Sequence, residues 1–403
     1  MLAPSLTAWP ESRVDDAEPD FSIGDVSNYP SFDYSMKDVR RAGKIVASKV
    51  TLCAETRDAF TIVNNYRDSH LFPMRSVRGT LSWHMGRNQL GGVTGARLKR
   101  MQAIRRKMDR IGLGLNQFQD LAGCRAVLPS IEDVKSLVAI LRHCRHELRD
   151  EDDYIANPKK DGYRSHHLMF NYVGKGPSVV HNGRRVEVQV RTRMQHSWAT
   201  TVEAIGLFRG EDLKAGQGSP DWLRLFKLVS AEFAQAERCP EPPDMPSSHQ
   251  RVQQIRDLDL KLKASETLDN LSYAVKFTDA SIAPSEKSQY WLIQFDNTKR
   301  EVLISPYSAP RHAALSYDNA EYLDANNEKN IVLVETDKLE HMKAAYPNYF
   351  GDVQLFRMQL GRITKGRGAT EYTVKPQEGV MPRPKEAPNL VWLKRRNQIR
   401  WTT

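Results

Sequence analysis

The sequence predicts an α+β protein: a mixed β-sheet flanked by helices, followed by a second, smaller α+β domain. Three observations predict it. GCRAVLP (123–129) reads as a buried strand and runs directly into the helical pattern of IEDVKSLVAILRHCRHEL. SVVHNGRRVEVQVRT (178–192) reads as a hairpin around Asn182-Gly183, a dipeptide that tolerates positive φ at both turn positions, and VEVQVRT alternates apolar and polar without a slip. The proline-rich CPEPPDMPSS (239–248) then breaks the pattern, and a further helix and the paired strands YWLIQFDN and REVLISPY follow it.

Residues 1–30 are rich in Asp, Glu, Ser and Pro with little apolar periodicity and are expected to be disordered. From Met36 to about Tyr66, Val39, Ala42, Val46, Val50, Phe60 and Val63 recur mostly three or four apart, which predicts an amphipathic helix broken once. GGVTG (91–95) reads as a glycine-rich connection into ARLKRMQAIRRKMDRIG, where Leu98, Met101, Ile104 and Met108 form a narrow apolar stripe among basic residues. Ser130 is placed to cap the next helix through Asp133. HHLMFNYV is a strand, while MQHSWATTVEAIGLF and the stretch 222–237 return to helical spacing. Beyond the break, RVQQIRDLDLKLKASETLDNLSYAV is helical, NIVLVET is a strand, and TDKLEHMKAAYP is a capped helix ended by proline. The expected organisation is a lead-in at 1–30, a first domain at 31–240, a small α+β domain at 250–373 and a basic flexible tail at 374–403.

Composition narrows the function. Apolar residues are 40% of the chain and charged residues 27%, with no run near the roughly 18 residues of a membrane span. The first residues show no basic region followed by an apolar core, so a cytoplasmic, non-membrane protein is expected. Four cysteines without a CxxC argue against structural zinc and for a reducing compartment. A formal charge of +10 suits a polyanionic partner, nucleotide phosphates or RNA. There is no GxxxxGK[ST] phosphate loop.

Four patches could carry chemistry. In VEVQVRT, a period of two places Glu187, Gln189 and Arg191 on one face of a strand and the valines on the other. Alone, this describes an ordinary half-exposed antiparallel strand. In NPKKDGYRSHH, Gly162 and the turn bring Tyr163, Arg164 and His167 together, an aromatic, a cation and an imidazole suited to base stacking and phosphate contact or to a plain packed turn. DLAGCR sets Asp120 and Arg125 at the ends of a strand entry. RLKRMQAIRRK supplies Arg97, Lys99 and Lys107, which a solvated helix face would also explain.

In order and internal spacing, the four patches resemble the motifs of the RelA/SpoT-type alarmone synthetases over roughly residues 75–208. Arg97, Lys99, Ile104 and Lys107 fall on R-x-K-x-x-x-S-I-x-x-K, with Ala103 in place of the serine. Asp120, Gly123 and Arg125 fall on D-I-x-G-x-R; Pro158, Lys159, Gly162, Tyr163, Arg164, Ser165 and His167 on P-K-x-x-G-Y-R-S-x-H; Glu187, Gln189, Arg191 and Thr192 on E-I-Q-I-R-T. Met194, Trp198 and Ala199 follow the family, but its next glutamate is Val202 here, with Glu203 one place along, and Glu203 is given no role.

The resemblance implies a nucleotidyltransferase-like synthetase domain that moves the β,γ-diphosphate of ATP to the 3′-hydroxyl of GDP or GTP, making (p)ppGpp. It implies Mg²⁺ on Asp120 and Glu187, with Glu187 orienting or deprotonating the hydroxyl. Arg97 and Arg125 would sandwich adenine, Lys99 and Lys107 would meet ATP phosphates, and Lys159, Tyr163, Arg164, His167, Gln189 and Arg191 would serve the guanine nucleotide. None of the eleven histidines precedes an aspartate, so no hydrolase half is expected. Two alternatives stand beside this: a toxic relative that modifies the 3′ end of tRNA, and an inactive regulatory nucleotide- or RNA-binding protein. The 250–373 domain is expected to regulate the site, or to serve a structural or homo-oligomerising role.

Overall fold

The computed structural model describes residues 26–48, 56–274, 276–278, 288–296, 299, 301–324, 329–336, 341, 346 and 353–371. Residues 1–372 form one compact unit; the second, 373–403, lies outside the described residues, as do most of the lead-in and nearly all of the helix expected at TDKLEHMKAAYP.

The helical stripe at the N-terminus resolves into α1 (Met36–Ser48) and α2 (Arg57–Asp68), which bury Val39, Ala42, Val46, Ala59 and Val63 together. Ordered structure starts earlier than expected, with a 3-10 turn at Val26–Asn28 and Tyr29 bonded through its hydroxyl to Tyr290 at 2.9 Å. α3 (Leu71–Arg87) was not legible as an amphipathic helix, because Leu71, Phe72, Met74, Val77, Leu81 and Met85 bury several faces of it beneath the sheet.

GGVTG is not simply a connection. Val93–Leu98 forms β1, and the helix α4 begins only at Met101–Ile111. β1 pairs antiparallel with β2 (Ala122–Leu128), so Arg97 stands on a strand, and Lys99 continues the pairing by donating its N–H to Leu121 O at 2.8 Å. α5 (Ile131–Leu141) has the expected cap, Ser130 Oγ accepting from Asp133 N at 3.1 Å. It ends before RHCRHEL, whose last residues enter β3 (Glu147–Asp153), an edge strand too acidic to read as one. β4 (His166–Asn171) and β5 (Arg185–Thr192) form the hairpin. SVVH, expected as its first strand, is a 3-10 turn at Gly176–His181 inside the connection; Gly176 has φ +55° and Pro177 has no N–H to give a ladder. Asn182 keeps a negative φ of −55°, so the two-residue hairpin turn does not form there.

α6 (Arg193–Arg209) is capped by Thr192, which accepts from Gln195 N at 3.2 Å, and it packs on α7 (Pro220–Ala236). α8 (Ser248–Leu262) and α9 (Ala264–Ala274) divide at Lys263, whose φ is +48°. β6 (Lys276–Thr278), β7 (Tyr290–Asp296), β8 (Glu301–Tyr307), α10 (Pro310–Leu323), β9 (Lys329–Glu335) and α11 (Gln354–Thr364) complete the described chain.

Among the described residues the sheet is mixed and nine-stranded, ordered β3-β4-β5-β2-β1-β9-β7-β8-β6, with helices against it. The strands expected to form a separate 250–373 domain therefore extend the first sheet, β9 joining β1 at Ala96↔Glu335 and Arg97↔Val334. Buried ionic groups bind the same seam. Glu335 is fully buried and sits 3.3 Å from Arg78 Nη2. Arg67 is fully buried, donates to Asp318 at 2.6 Å and Glu321 at 2.8 Å, and lies over the Tyr317 ring. Arg251 ties α8 to α7 through Glu232 at 2.5 Å.

Breaking a buried pair by deleting one partner strands the other charge, at a cost of about 3–5 kcal/mol. Arg67→Ala is expected to lower stability by that amount, read as a fall in the urea midpoint at unchanged m-value.

Candidate active site

Period two along the strands builds the site. β2 runs parallel to β5 with Gly123↔Glu187 and Arg125↔Gln189, and β1 lies antiparallel to β2 with Arg97↔Gly123. On the other side of β5, His167 is level with Gln189. Arg97, Gly123, Arg125, Glu187, Gln189 and His167 thus share one face of four adjacent strands. The opposite face carries Ala96, Ala122, Cys124, Leu168, Val186, Val188 and Val190, all within the main core. Each fully buried valine contributes roughly 1.5–3 kcal/mol. A one-residue slip would expose all three of β5, a loss no exposed polar pair could offset, so the packing fixes the polar face.

At one end of this face Asp120 receives two lysines: Lys99 Nζ at 2.6 Å on Oδ2, from the β1–α4 junction, and Lys107 Nζ at 2.9 Å on Oδ1, from α4. Burial opposes ionisation of Asp120, but the lysines outweigh it and hold the carboxyl below its ordinary range, with Glu187 pushing the other way. In the middle, Glu187 accepts from Gln189 Nε2 at 2.8 Å and stands 3.1 Å from His167 Nδ1. His167 Nε2 meets Tyr163 OH at 2.8 Å, so Tyr163, His167 and Glu187 form a chain. Lys159 Nζ lies 4.0 Å from the Tyr154 ring centroid and 5.4 Å from that of Tyr163. Gly162 permits this turn: its φ is +97°, and a Cβ there would come within 3.0 Å of Ser230 Cβ.

Two residues named from sequence are engaged by buried partners, Arg191 still beside the site's Arg125, Tyr163 and Glu203. Arg164 is buried and donates to Glu237 Oε2 at 2.7 Å, at the end of α7, where Glu237 also accepts from Gln195 at 3.1 Å and from Thr192. Arg191 is buried against His196 Nδ1 at 2.7 Å. Gln189 braces Glu187.

Two residues with no assigned role enter the site. Glu203, on α6, lies 4.0 Å from Arg97 Nη2 and 3.7 Å from Lys214 Nζ. Burial opposes its ionisation, yet Lys214, Arg97, Arg100 and Arg125 together hold its carboxyl far below the usual range. Val202, at the position of the expected glutamate, packs instead with Trp222 and Phe226. Tyr346 is buried against both of the paired arginines, its ring centroid 5.8 Å from Arg97 Cζ and 5.2 Å from Arg125 Cζ. Its neighbours in sequence lack any signal linking it to residues more than 200 positions away.

Residues 96–209 match the RelA_SpoT family, described as a region found in RelA / SpoT proteins. The match is confined to that segment. A GTP pyrophosphokinase of Escherichia coli (strain K12) is 36% identical over 145 residues, 34% of this chain and 18% of that protein. GTP pyrophosphokinase YjbM of Bacillus subtilis (strain 168) is 30% identical over 140 residues, 33% of this chain and 64% of that protein. The chain thus spans under a fifth of the first relative and under two thirds of the second. A solved structure of a GTP pyrophosphokinase family protein from Streptococcus pneumoniae is similar over 46% of this chain and 91% of its own, with 23% identity and a TM-score of 0.37. Every residue of the sheet-face cluster lies within the matched segment.

The same region holds a carboxylate with unusual titration. Burial pushes Glu187 up, but His167, Lys99 and Gln189 more than reverse this and lower it to about 2. A depressed carboxylate stabilises the fold above its unfolded value, near 4.5, and this contribution is lost as pH falls toward about 2. The Glu187 carboxyl carbon resonance is therefore expected to stay flat from pH 8 to about 3; a midpoint near 4.5 would show that these donors do not hold the charge.

Proposed function

We propose that this chain transfers the β,γ-diphosphate of ATP to the 3′-hydroxyl of GDP or GTP. The observation that carries the reading is the ionised, braced Glu187 on one sheet face with Arg97, Lys99, Asp120 and Arg125, inside the RelA/SpoT region. The relatives' name, GTP pyrophosphokinase, supports the guanosine acceptor.

In this reading the acceptor oxygen attacks Pβ of ATP, the bond from Pβ to the α,β-bridging oxygen breaks, and AMP leaves. Such transfers depend on positioning and charge neutralisation more than on a strong base. A carboxylate held near a pKa of 2 is a weak base, so Glu187 orients the hydroxyl by accepting its hydrogen bond. It takes the proton late, once the forming P–O bond has made the hydroxyl acidic. Lys99, Lys107 and Lys159 meet phosphate charge, Tyr163 offers a ring for the guanine, and His167 keeps Glu187 turned toward the acceptor.

Mg²⁺ fits the donor set. Asp120 and Glu187 are both held ionised, hard oxygen donors of the kind Mg²⁺ takes. Among the described residues no cluster of three or more His, Cys, Asp or Glu could hold a metal, which suits an ion that uses one or two carboxylates plus substrate phosphates and water. When bound there, the ion would neutralise developing phosphate charge. No helix among the described residues is long and apolar enough to cross a membrane.

Incubation with ATP and Mg²⁺ plus GDP, GTP or deacylated tRNA tests the reading. A new guanosine species with stoichiometric AMP is expected; label on tRNA would move the acceptor to RNA, and silence in all three would remove the activity. Glu187→Gln should lower kcat by at least about a thousandfold with KM for ATP little changed. Tyr346 supplies a second check, since an adenine stacking on Arg97 and Arg125 competes with its ring. At roughly 1–2 kcal/mol for a desolvated cation–π contact, Tyr346→Ala should lower KM for ATP about five- to thirtyfold. An unchanged KM would separate the arginine pair from adenine.

A further inference from the structure

We propose that the Tyr163 hydroxyl is a positioning group for Glu187: by donating to His167 Nε2 it sets the imidazole so that Nδ1 presents its N–H to the carboxylate. The inference rests on the transfer proposed above, and it gives the phenol a task separate from that of its ring.

The backbone fixes where the phenol can go. Tyr163 N donates to Asp161 Oδ1 at 2.9 Å and Lys159 N donates to Tyr163 O at 3.1 Å, so the turn is closed on both sides of the residue. Ser230 Oγ, on α7, donates to Gly162 O at 2.5 Å and holds the turn against that helix. The ring packs on the α6–α7 core, its centroid 6.4 Å from that of Trp198. From there its hydroxyl reaches His167 Nε2 at 2.8 Å.

The imidazole is clamped in turn. Its side chain is 9% exposed, and it stands at 86° to the rings of both Tyr154 and Tyr163, with centroids 5.2 and 5.7 Å away. Its Nδ1 lies 3.1 Å from Glu187 Oε1. A carboxylate only accepts, so Nδ1 must carry a hydrogen to bond it. A neutral imidazole then offers a lone pair at Nε2, and a phenol, protonated at ordinary pH, donates to it. In the opposite tautomer, which a histidine without such a partner prefers, the Nδ1 lone pair would face the anion.

Glu187 depends on that choice. Gln189 Nε2 holds Oε2 at 2.8 Å and His167 holds Oε1, so the two donors together fix the plane of the carboxylate. The ring that receives guanine and the carboxylate that receives the hydroxyl thus form one hydrogen-bonded unit. A guanine seated on Tyr163 steadies the phenol, and through His167 it steadies Glu187.

Nitrogen NMR of the full chain carrying ¹⁵N-labelled histidine, at about pH 8, tests this without reference to activity; the His167 signals are those missing from His167→Gln. The wild type should show a protonated Nδ1 and an acceptor Nε2, and in Tyr163→Phe the Nε2–H tautomer should appear. In turnover, Tyr163→Phe keeps the ring and should lower kcat about ten- to a hundredfold, with KM for the guanine nucleotide changed by less than about twofold. Tyr163→Leu, which loses the ring as well, should also raise that KM. A wild-type His167 protonated on Nε2, a tautomer unchanged in Tyr163→Phe, an unchanged kcat, or a rise in KM alone would overturn the inference. Wild-type silence with every acceptor would remove the transfer instead, and the tautomer would still decide whether the phenol sets the imidazole.

Discussion

The parallel pairing of β2 with β5 is the constraint on which the rest of the structure depends. It aligns Gly123 with Glu187 and Arg125 with Gln189, while β1 on the far side of β2 brings Arg97 level with Gly123. Because side chains alternate at every step, the apolar face that packs on α3 and α5 and the polar face that gathers the charges are one decision. Gly123 matters here by what it lacks: with no side chain between Arg97 and Glu187, the middle of the face stays open to a ligand.

Charges on such a face survive burial only because they answer one another. An isolated buried carboxylate would take up a proton, yet Asp120 and Glu187 are both held ionised, the first by lysines and the second by His167, Lys99 and Gln189. The same partners that stabilise the resting face are those a nucleotide phosphate would draw away. Lys99 and Lys107 can turn from Asp120 toward phosphate only if something else neutralises Asp120, and a divalent cation is the simplest candidate. In the proposed reaction, that exchange would couple phosphate binding to metal binding.

Legibility in the sequence followed how local each feature is. The four motifs were readable because their spacings are strand and turn periods within a dozen residues, and the Ser130 cap was readable for the same reason. β3 was not, since it is an acidic edge strand whose apolar contacts are few, and α3 was not, since burial on several faces erases amphipathic contrast. Arg164 and Glu237 are 73 positions apart, so a motif arginine whose partner is a buried carboxylate looks from sequence like one that faces a ligand. Glu203 was left without a role because of register: Val202 turns into the core and the next residue takes the polar side beside Arg97.

The largest surprise is how thoroughly the C-terminal third is joined to the rest. A proline-rich stretch reads as a domain boundary because it breaks secondary structure, but secondary structure says nothing about which edge of a sheet a later strand will find. β9 finds β1, Glu335 enters the interior beside Arg78, Asp318 and Glu321 close over Arg67, and Tyr346 reaches Arg97 and Arg125. Cutting the chain near 250 would therefore open a strand edge, leave Arg67 without Asp318 and Glu321, part Arg78 from Glu335, and bare the arginine pair in one stroke. A point change at Tyr346 touches the arginine pair and leaves those other joints intact, so it separates control of the site from integrity of the fold where a truncation would confound them.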